Sequence, residues 1–221
     1  MDPLAGQYET IGLAHVEGRR RRIGIMGGSF NPIHCGHLEM AEHAYKALGL
    51  DTVLFIPLGD PPHKQDLALA DAVHRRNMVE LAIEGQAHFV LNEMELVRDG
   101  YTYAADTLLE LRSIYTEETE LCYLLGADAF LYIRQWYAFP RVLELATYVV
   151  FQRYDEDAAL VKQEAEALER EYGANIILLS HQPVSVSSTF IRESLREGRD
   201  MCGLLPKKVE AYLERWRLYR D

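Results

Sequence analysis

Cysteine is scarce in this chain of 221 residues, and long apolar runs are missing. The three cysteines, Cys35, Cys122 and Cys202, form an odd set without a CxxC spacing. They argue against the disulfide framework of a small secreted domain and indicate a reducing, cytoplasmic environment. No apolar run approaches the roughly 18 residues that span a bilayer, and the first residues lack the apolar segment of a signal peptide. We therefore expect no membrane partner.

Basic side chains are in the minority. The sequence has 23 Lys and Arg against 34 Asp and Glu, which gives a net charge of −11. Because non-specific nucleic-acid binding depends on Lys and Arg that neutralise phosphates, we expect no nucleic-acid partner. A small anionic substrate stays open, since a local cationic pocket can override the net charge. The chain also lacks the Gly-Lys-Ser/Thr of a Walker loop and the GxGxxG of a dinucleotide-binding domain.

Short apolar runs alternate with helical patterns along most of the chain. The runs predict strands at residues 23–26, 52–56, 89–91, 121–125, 147–151 and 175–179. The patterns predict helices at 37–48 (ending at Gly49), 72–83, 102–114, 158–172, 189–195 and 206–218, with one or two short helices across 131–146 interrupted at Pro140. This alternation predicts an α/β fold, a Rossmann-like parallel sheet with helices on both faces.

The predicted organisation is a leader followed by one domain. No linker divides residues 23–221, which we interpret as a single domain with a C-terminal helical extension. Residues 1–22 end in four arginines and read as a flexible solvated arm, with an anion-binding or partner-binding arm as the alternative. Ligands of open parallel sheets bind beyond the carboxyl ends of the strands, so we expect the site in the loops after the predicted strands. The oligomeric state is open, and a homo-oligomer is compatible with the sequence.

The loop after the first predicted strand reads GGSFNPIHCGH, from Gly27 to His37. Its two glycines allow a sharp turn and a close approach to a ligand, and free N–H groups at the next helix start suit a phosphate. His34 and His37 are three residues apart, so they share one face of that helix start. Helix capping and half of a metal site are the alternatives. A metal would lack a third and a fourth ligand, so we predict no metal site built from protein side chains.

A second polar segment reads SSTFIR, from Ser187 to Arg192. Ser and Thr before an apolar run are ordinary N-cap residues, which is one interpretation of the segment. In the other, the hydroxyls, the free N–H groups of the helix and Arg192 together bind the outer phosphates of a nucleotide.

The two segments, in this order, resemble the nucleotidyltransferase α/β-phosphodiesterase superfamily. The stretches between and after them are similar to bacterial nicotinate-mononucleotide adenylyltransferases: PPHK at 61–64, RDGYTYAADTL at 98–108, GAD at 126–128 with Trp136 downstream, and LPKKV at 205–209. The resemblance covers the chain from about residue 23 onward. It implies adenylyl transfer from ATP to nicotinate mononucleotide with Mg²⁺ as cofactor, which gives deamido-NAD and pyrophosphate in NAD biosynthesis.

The resemblance also implies roles for individual residues. ATP would be bound by Gly27, Ser29, Phe30, His34, His37, Gly126, Asp128, Ser187, Ser188 and Arg192, of which His34, His37 and Arg192 would be catalytic. Nicotinate mononucleotide would be bound by His63, Lys64, Thr102, Tyr103, Ala104 and Trp136, with Lys64 and His63 at its phosphate and Trp136 stacked on its pyridine ring. Taken alone, Gly126 could be a helix C-cap, Lys64 a surface lysine and Trp136 a core aromatic.

Two positions depart from the family pattern. Asn31 stands where the superfamily often has Asp, and Ala104 stands where this family usually has Thr or Ser. Two other functions also stay open. The first is a sister nucleotidyltransferase with another phosphate acceptor, such as phosphopantetheine, although the 98–108 segment and Trp136 argue against it. The second is a non-catalytic nucleotide sensor, although intact His34, His37 and Arg192 argue against that.

Overall fold

A single six-stranded parallel sheet organises the computed structural model, which describes residues 20–59, 69–116, 118–152, 157–180 and 186–220. The strands in those residues are β1 (Arg21–Gly28), β2 (Thr52–Pro57), β3 (Phe89–Leu91), β4 (Thr119–Gly126), β5 (Thr147–Gln152) and β6 (Asn175–Ser180). Their order is β3-β2-β1-β4-β5-β6, and each neighbouring pair is parallel. The predicted α/β fold with a Rossmann-like parallel sheet is confirmed.

Helices connect the strands. They are α1 (Cys35–Leu48), α2 (Ala72–Ile83), α3 (Ala104–Ile114), α4 (Ala127–Leu131), α5 (Asp157–Tyr172), α6 (Ser188–Arg196) and α7 (Lys207–Trp216). The predicted stop of α1 at Gly49 is confirmed: this glycine has a φ of 59°, the left-handed conformation that a residue without Cβ adopts at little cost. Among the helices of the described ranges, none combines the length and apolar character needed to cross a membrane.

Two apolar cores lie on the two faces of the sheet, because successive side chains of a strand point to opposite sides. Along β2, Leu54 and Ile56 join one core while Val53 and Phe55 join the other. The first core is completed by apolar residues of α3, α4 and α5, and the second by those of α1, α2, α6 and α7. Helices thus cover both faces, which explains why all six residues of β2 are buried.

The structure departs from the predicted elements in a few places. β1 begins at Arg21, two residues before the predicted start, so Arg21 and Arg22 belong to the sheet. The prediction of one or two short helices across 131–146, interrupted at Pro140, is confirmed. Two short 3-10 helices lie at Ile133–Gln135 and Arg141–Glu144, and Pro140 is the N-cap of the second, while Leu131 belongs to the end of α4. The C-cap interpretation of Gly126 was wrong. This glycine is the N-cap of α4, in an extended conformation with φ −76°.

Candidate active site

A cavity of about 650 Å³ opens at the carboxyl ends of β1 and β4, in the middle of the sheet. The strand order reverses between these two strands, and open α/β sheets bind ligands at such a switch point. The lining residues include two groups that come from different elements of the fold. We call them the histidine end (Gly27, His34, His37, Ser187 and Ser188) and the aromatic end (Thr102, Tyr103, Ala104, Trp136 and Tyr137).

Gly27 lies where β1 meets the cavity. A Cβ added to it would come within 2.9 Å of the Tyr123 hydroxyl, closer than real Cβ contacts allow. Tyr123 itself lines the cavity, and burial raises the pKa of its hydroxyl, which therefore stays protonated at neutral pH. A larger residue at this position would have to displace the Tyr123 ring, whereas glycine leaves the backbone open to the cavity.

The two histidines pack against each other at the start of α1. Their ring centroids are 3.7 Å apart with planes inclined by 27°, and the His34 N–H donates to Nδ1 of His37 at 3.2 Å. This bond places the proton of a neutral His37 ring on Nε2. His37 therefore caps the start of α1 through Nδ1, as the capping interpretation expects. It also lines the cavity.

His34 is the more enclosed of the pair, with 7% of its surface exposed. Burial lowers its pKa from 6.5 to about 4, so the ring is neutral at pH 7. Its Nδ1 is buried and has no hydrogen-bond partner among the described residues. His34 therefore lines the cavity as a neutral ring and brings no positive charge at neutral pH.

The start of α6 forms the other part of the histidine end. Ser187 is the N-cap, and its Oγ accepts from the Phe190 N–H at 3.1 Å. Ser188 donates through Oγ to the Pro32 carbonyl at 2.9 Å and so ties α6 to the loop after β1. The N-cap interpretation of this segment holds for Ser187, and both serines also line the cavity.

Three of the predicted ATP-binding residues, Ser29, Phe30 and Arg192, are not among the lining residues and contact the loop after β1 or the residues around it. Arg192 donates to the Asn31 carbonyl at 2.8 Å and to the Thr189 hydroxyl at 3.2 Å. Phe30 is 1% exposed and packs between His37 and Phe55, with ring centroids 5.1 and 6.0 Å away. The Ser29 carbonyl accepts from a buried arginine. Arg192 has five N–H donors, so it can keep Asn31 and still reach a ligand.

That buried arginine is Arg75, which the sequence analysis did not single out. It is 2% exposed and donates to the carbonyls of Ser29 (3.0 Å), Leu58 (2.7 Å) and Ala70 (3.0 Å). Arg75 therefore joins the loops that follow β1 and β2 to the start of α2. Its spacing in α2 places it on the buried face of the helix, three and four residues before Met78 and Val79. That position is the signal by which the sequence could have marked it.

The aromatic end is built from rings and one helix start. Tyr103 is the extended N-cap of α3, so Ala104 presents the first free N–H of that helix. The Tyr103 ring packs on Tyr137 at 4.3 Å, and Trp136 contacts Tyr123 edge-on at 5.7 Å. Trp136 is half-buried, so it both packs on the core and lines the cavity.

Gly126 and Asp128 also line the cavity. A Cβ on Gly126 would meet nothing within 4 Å, so the β4–α4 turn is open to the cavity. Asp128 is exposed in the first turn of α4 and lines the same space. A carboxylate beside an open backbone turn can accept hydrogen bonds from hydroxyl groups such as those of a ribose.

Known proteins match this chain over most of its length. The family model of cytidylyltransferase-like proteins matches residues 25–194. A protein of Thermoanaerobacter sp. (strain X514) is 38% identical over 202 residues, which are 91% of this chain and 96% of that protein. A protein of Dehalococcoides mccartyi (strain ATCC BAA-2266 / KCTC 15142 / 195) is 38% identical over 201 residues, 90% of this chain and 97% of its own. Both carry the name "Probable nicotinate-nucleotide adenylyltransferase".

This chain belongs to the nicotinate-nucleotide adenylyltransferase family. The predicted resemblance is thereby confirmed. Among solved structures, a Plasmodium falciparum nicotinic acid mononucleotide adenylyltransferase complexed with NaAD matches with a TM-score of 0.74 at 18% identity, over 90% of this chain and 97% of its own. The same enzyme complexed with APC gives 0.72 at 17% identity. At these identities the two structures support the fold.

The family residues differ in how far the structure describes them. It brings Gly27, His34, His37, Ser187 and Ser188 together at the histidine end, and Thr102, Tyr103, Ala104 and Trp136 together at the aromatic end. His63 and Lys64 lie outside the described residues. Within the described ranges, no group of three or more His, Cys, Asp or Glu side chains could hold a metal ion.

Proposed function

We propose that this member of the nicotinate-nucleotide adenylyltransferase family transfers the AMP portion of ATP to the phosphate of nicotinate mononucleotide. The products are deamido-NAD and pyrophosphate. The supporting observation is one cavity at the switch point of the sheet, with two helix starts and two histidines at one end and a tryptophan and a third helix start at the other. Its volume of about 650 Å³ is in the range of small-molecule sites.

In the proposed reaction, a 5′-phosphate oxygen of the mononucleotide attacks the α-phosphorus of ATP. A new phosphorus–oxygen bond forms, and the bond to the bridging oxygen of pyrophosphate breaks in line. The attacking oxygen is already ionised at neutral pH, so no activated side-chain nucleophile is needed. Catalysis then consists of alignment and of hydrogen-bond donors placed where charge develops.

We assign the triphosphate to the histidine end. The N-termini of α1 and α6 reach this part of the cavity, and N–H groups at helix starts favour anions. On α1 the Cys35 N–H already donates to the Leu204 carbonyl at 3.0 Å, so Gly36 offers the N–H group there. His34 contributes as a neutral ring, since its pKa is about 4. His37 contributes Nε2–H, and Arg192 reaches the outer phosphates from behind the loop. The backbone of Gly27 to Phe30 and the Gly126–Asp128 turn then hold the nucleoside.

We assign the nicotinate group to the aromatic end. The free N–H groups at the start of α3 favour a carboxylate without help from a side chain, which compensates for the missing hydroxyl at Ala104. Trp136 stacks on the pyridine ring, with Thr102 and Tyr103 beside it. Lys64 and His63 hold the mononucleotide phosphate in this proposal.

Nucleotidyltransferases of this kind use a divalent metal, and we propose Mg²⁺. Among the described lining residues, Asp128 is the one carboxylate, so the donor set fits an ion that arrives on phosphate oxygens and water. When bound, the ion would neutralise charge on the leaving pyrophosphate. No protein cage is required for that purpose.

We also propose that the predicted domain of residues 23–221, extended by Arg21 and Arg22 of β1, acts as one unit with α6 and α7 as its extension. We propose that the protein works in the cytoplasm. Its partners are then ATP and nicotinate mononucleotide, without nucleic acid or membrane, and a homo-oligomer is compatible with this assignment.

Pyrophosphate release from ATP tests the proposal. We would supply nicotinate mononucleotide, nicotinamide mononucleotide, phosphopantetheine or no acceptor, each with Mg²⁺. We expect the acid mononucleotide to give the highest kcat/KM, because an amide would turn its NH₂ toward the donors at the α3 start and leave them unpaired. A preference for phosphopantetheine would indicate a sister enzyme, and no release with any acceptor would indicate a sensor. Equal use of acid and amide would show that Ala104 has changed the specificity.

A further inference from the structure

The segment after α7 folds back toward the histidine end. Arg217, the C-cap of α7, has a left-handed φ of 51°, and the Leu218 N–H donates to the Leu213 carbonyl at 3.1 Å. Tyr219 follows with φ 62°. Leu218 and Tyr219 then pack against the core on the α1, α2, α6 and α7 side of the sheet. Two successive turns in the backbone thus direct the Tyr219 ring inward.

Its hydroxyl ends on the loop between β1 and α1. Tyr219 donates to Oδ1 of Asn31 at 2.6 Å, and the Ala70 N–H donates to the same oxygen at 3.0 Å. The Asn31 carbonyl accepts from Arg192 at 2.8 Å. Asn31 is 2% exposed, so it is a buried junction of the β1–α1 loop, the segment before α2, helix α6 and the segment after α7.

The surroundings of the Tyr219 hydroxyl keep it in the protonated form that donates to Asn31. Burial raises the pKa of Tyr219, and the hydroxyl therefore stays protonated at neutral pH and donates to Asn31. Arg75 and Arg192 are the charged groups that act on this hydroxyl. Arg75 also holds the Ser29 carbonyl two residues before Asn31. The loop is thus anchored at Ser29 by Arg75 and at Asn31 by Tyr219.

We propose that Tyr219 is a positioning residue for the nucleotide: its hydroxyl holds Asn31, and through Asn31 it fixes the backbone of Gly27 to Phe30 and the start of α1. The inference rests on the proposed function for the identity of ATP as the ligand. Tyr219 is not on the cavity wall and acts through the loop. A small misplacement of groups that must align with a substrate is enough to lower rate and affinity.

The direct test is Tyr219→Phe, which removes the hydroxyl and keeps the ring. Tyr212→Phe on α7 is the matched control, because the Tyr212 hydroxyl lies 3.0 Å from Asn77 Nδ2 and 2.9 Å from His74 Nδ1, both on α2. We expect Tyr219→Phe to raise the dissociation constant of a non-hydrolysable ATP analogue about three- to tenfold, the loss of one hydrogen bond. Tyr212→Phe should leave it within twofold. The KM for nicotinate mononucleotide should stay within twofold in both variants.

A double-mutant cycle with Asn31→Ala separates positioning from general stability. Asn31→Ala alone should weaken analogue binding at least as much as Tyr219→Phe, because it removes the acceptor. In that background Tyr219→Phe should cause no further loss of affinity. The inference is overturned by unchanged affinity in Tyr219→Phe, by an equal loss in Tyr212→Phe, or by additive losses in the cycle.

The binding measurements need no acceptor, so they are distinct from the test of the overall reaction. A parent protein that binds the analogue but transfers nothing to nicotinate mononucleotide would overturn the proposed function and leave the cycle valid. A parent protein that does not bind the analogue would overturn both.

Discussion

The histidine end and the aromatic end of the cavity are held in place by different forces. At the histidine end, hydrogen bonds from Arg75, Ser188, Arg192 and Tyr219 fasten one loop to α2, to α6 and to the segment after α7. At the aromatic end, ring contacts dominate: Tyr103 packs on Tyr137, which is 55% exposed, and Trp136 packs on Tyr123. A change at the first end should move backbone and affect turnover, whereas a change at the second should mainly affect the affinity for one substrate.

The largest effect is expected for His37→Ala. The substitution removes a donor at the cavity wall and the cap on the His34 N–H. Losing one preorganised donor lowers the rate by on the order of 10²–10³, and we expect that loss in kcat/KM with either substrate varied. Steady-state pyrophosphate release measures it. His43→Ala on the same helix is the control, since His43 does not line the cavity. If His37→Ala turned over nearly as fast as the parent, the claim that the histidine end controls turnover would be wrong.

His34 should make the stability of the histidine end depend on pH. Its folded pKa of about 4 lies below the ordinary value of 6.5, so the unfolded chain binds more protons between these values. The free energy of unfolding therefore keeps its full value above about pH 6.5. It falls by about 3 kcal/mol as the pH drops from there to 4. Urea unfolding of the parent and of His34→Gln at pH 4 to 7 measures the difference. If the difference in free energy of unfolding between the parent and His34→Gln were the same at every pH from 4 to 7, His34 would not be buried as a neutral ring.

Arg75→Met tests whether the histidine end depends on its buried scaffold. Four carbonyls would lose a donor, those of Ser29, Leu58, Gly59 and Ala70. We expect the free energy of unfolding to fall by about 2 kcal/mol. The affinity for an ATP analogue should fall as well, because the Ser29 carbonyl is released. Arg76→Met is a close control: Arg76 is the next residue, and it pairs at the surface with Glu80 and Glu93. Surface pairs contribute roughly 0–1 kcal/mol, so an equal cost in both variants would deny Arg75 a special role.

The smallest effect is expected at the aromatic end. Trp136→Ala should raise the KM for nicotinate mononucleotide about tenfold, since aromatic stacking on a base contributes on the order of 1–3 kcal/mol. The KM for ATP and kcat at saturation should stay within twofold. Trp216→Ala on α7 is the control, because Trp216 is 51% exposed and does not line the cavity. A large fall in kcat for Trp136→Ala would mean that this end also controls turnover.

Segments with a clear apolar pattern and clear flanking residues could be predicted from the sequence. Helix α2 and strand β3 have the predicted bounds, because an apolar period and flanking polar residues specify each of them locally. The lining residues Gly27, His34 and Ala104 were found through family motifs, and the structure brings their segments together. Residues 131–146 could not be predicted in detail, since short 3-10 turns leave no clear period.

The partners of buried charged residues were beyond sequence reasoning. The spacing of α2 places Arg75 on the buried face of the helix, but nothing in it specifies the carbonyls that accept from Arg75 on the loops after β1 and β2. Glu95 is similar: it is 3% exposed, burial raises its pKa, and its Oε1 accepts from the Thr107 hydroxyl at 2.7 Å. The hydrogen-bond partners of such groups come together only in the folded structure, so the sequence does not identify them.

The two tryptophans of this chain give the cavity an optical reporter. Trp136 is half-buried on the cavity wall, with Tyr123 5.7 Å and Tyr148 6.5 Å away as energy-transfer donors. Trp216 emits from an exposed position on α7. In Trp216→Phe the remaining indole fluorescence would come from Trp136 alone. The arrival of an aromatic ring at this wall could then be followed by quenching in real time, without a label.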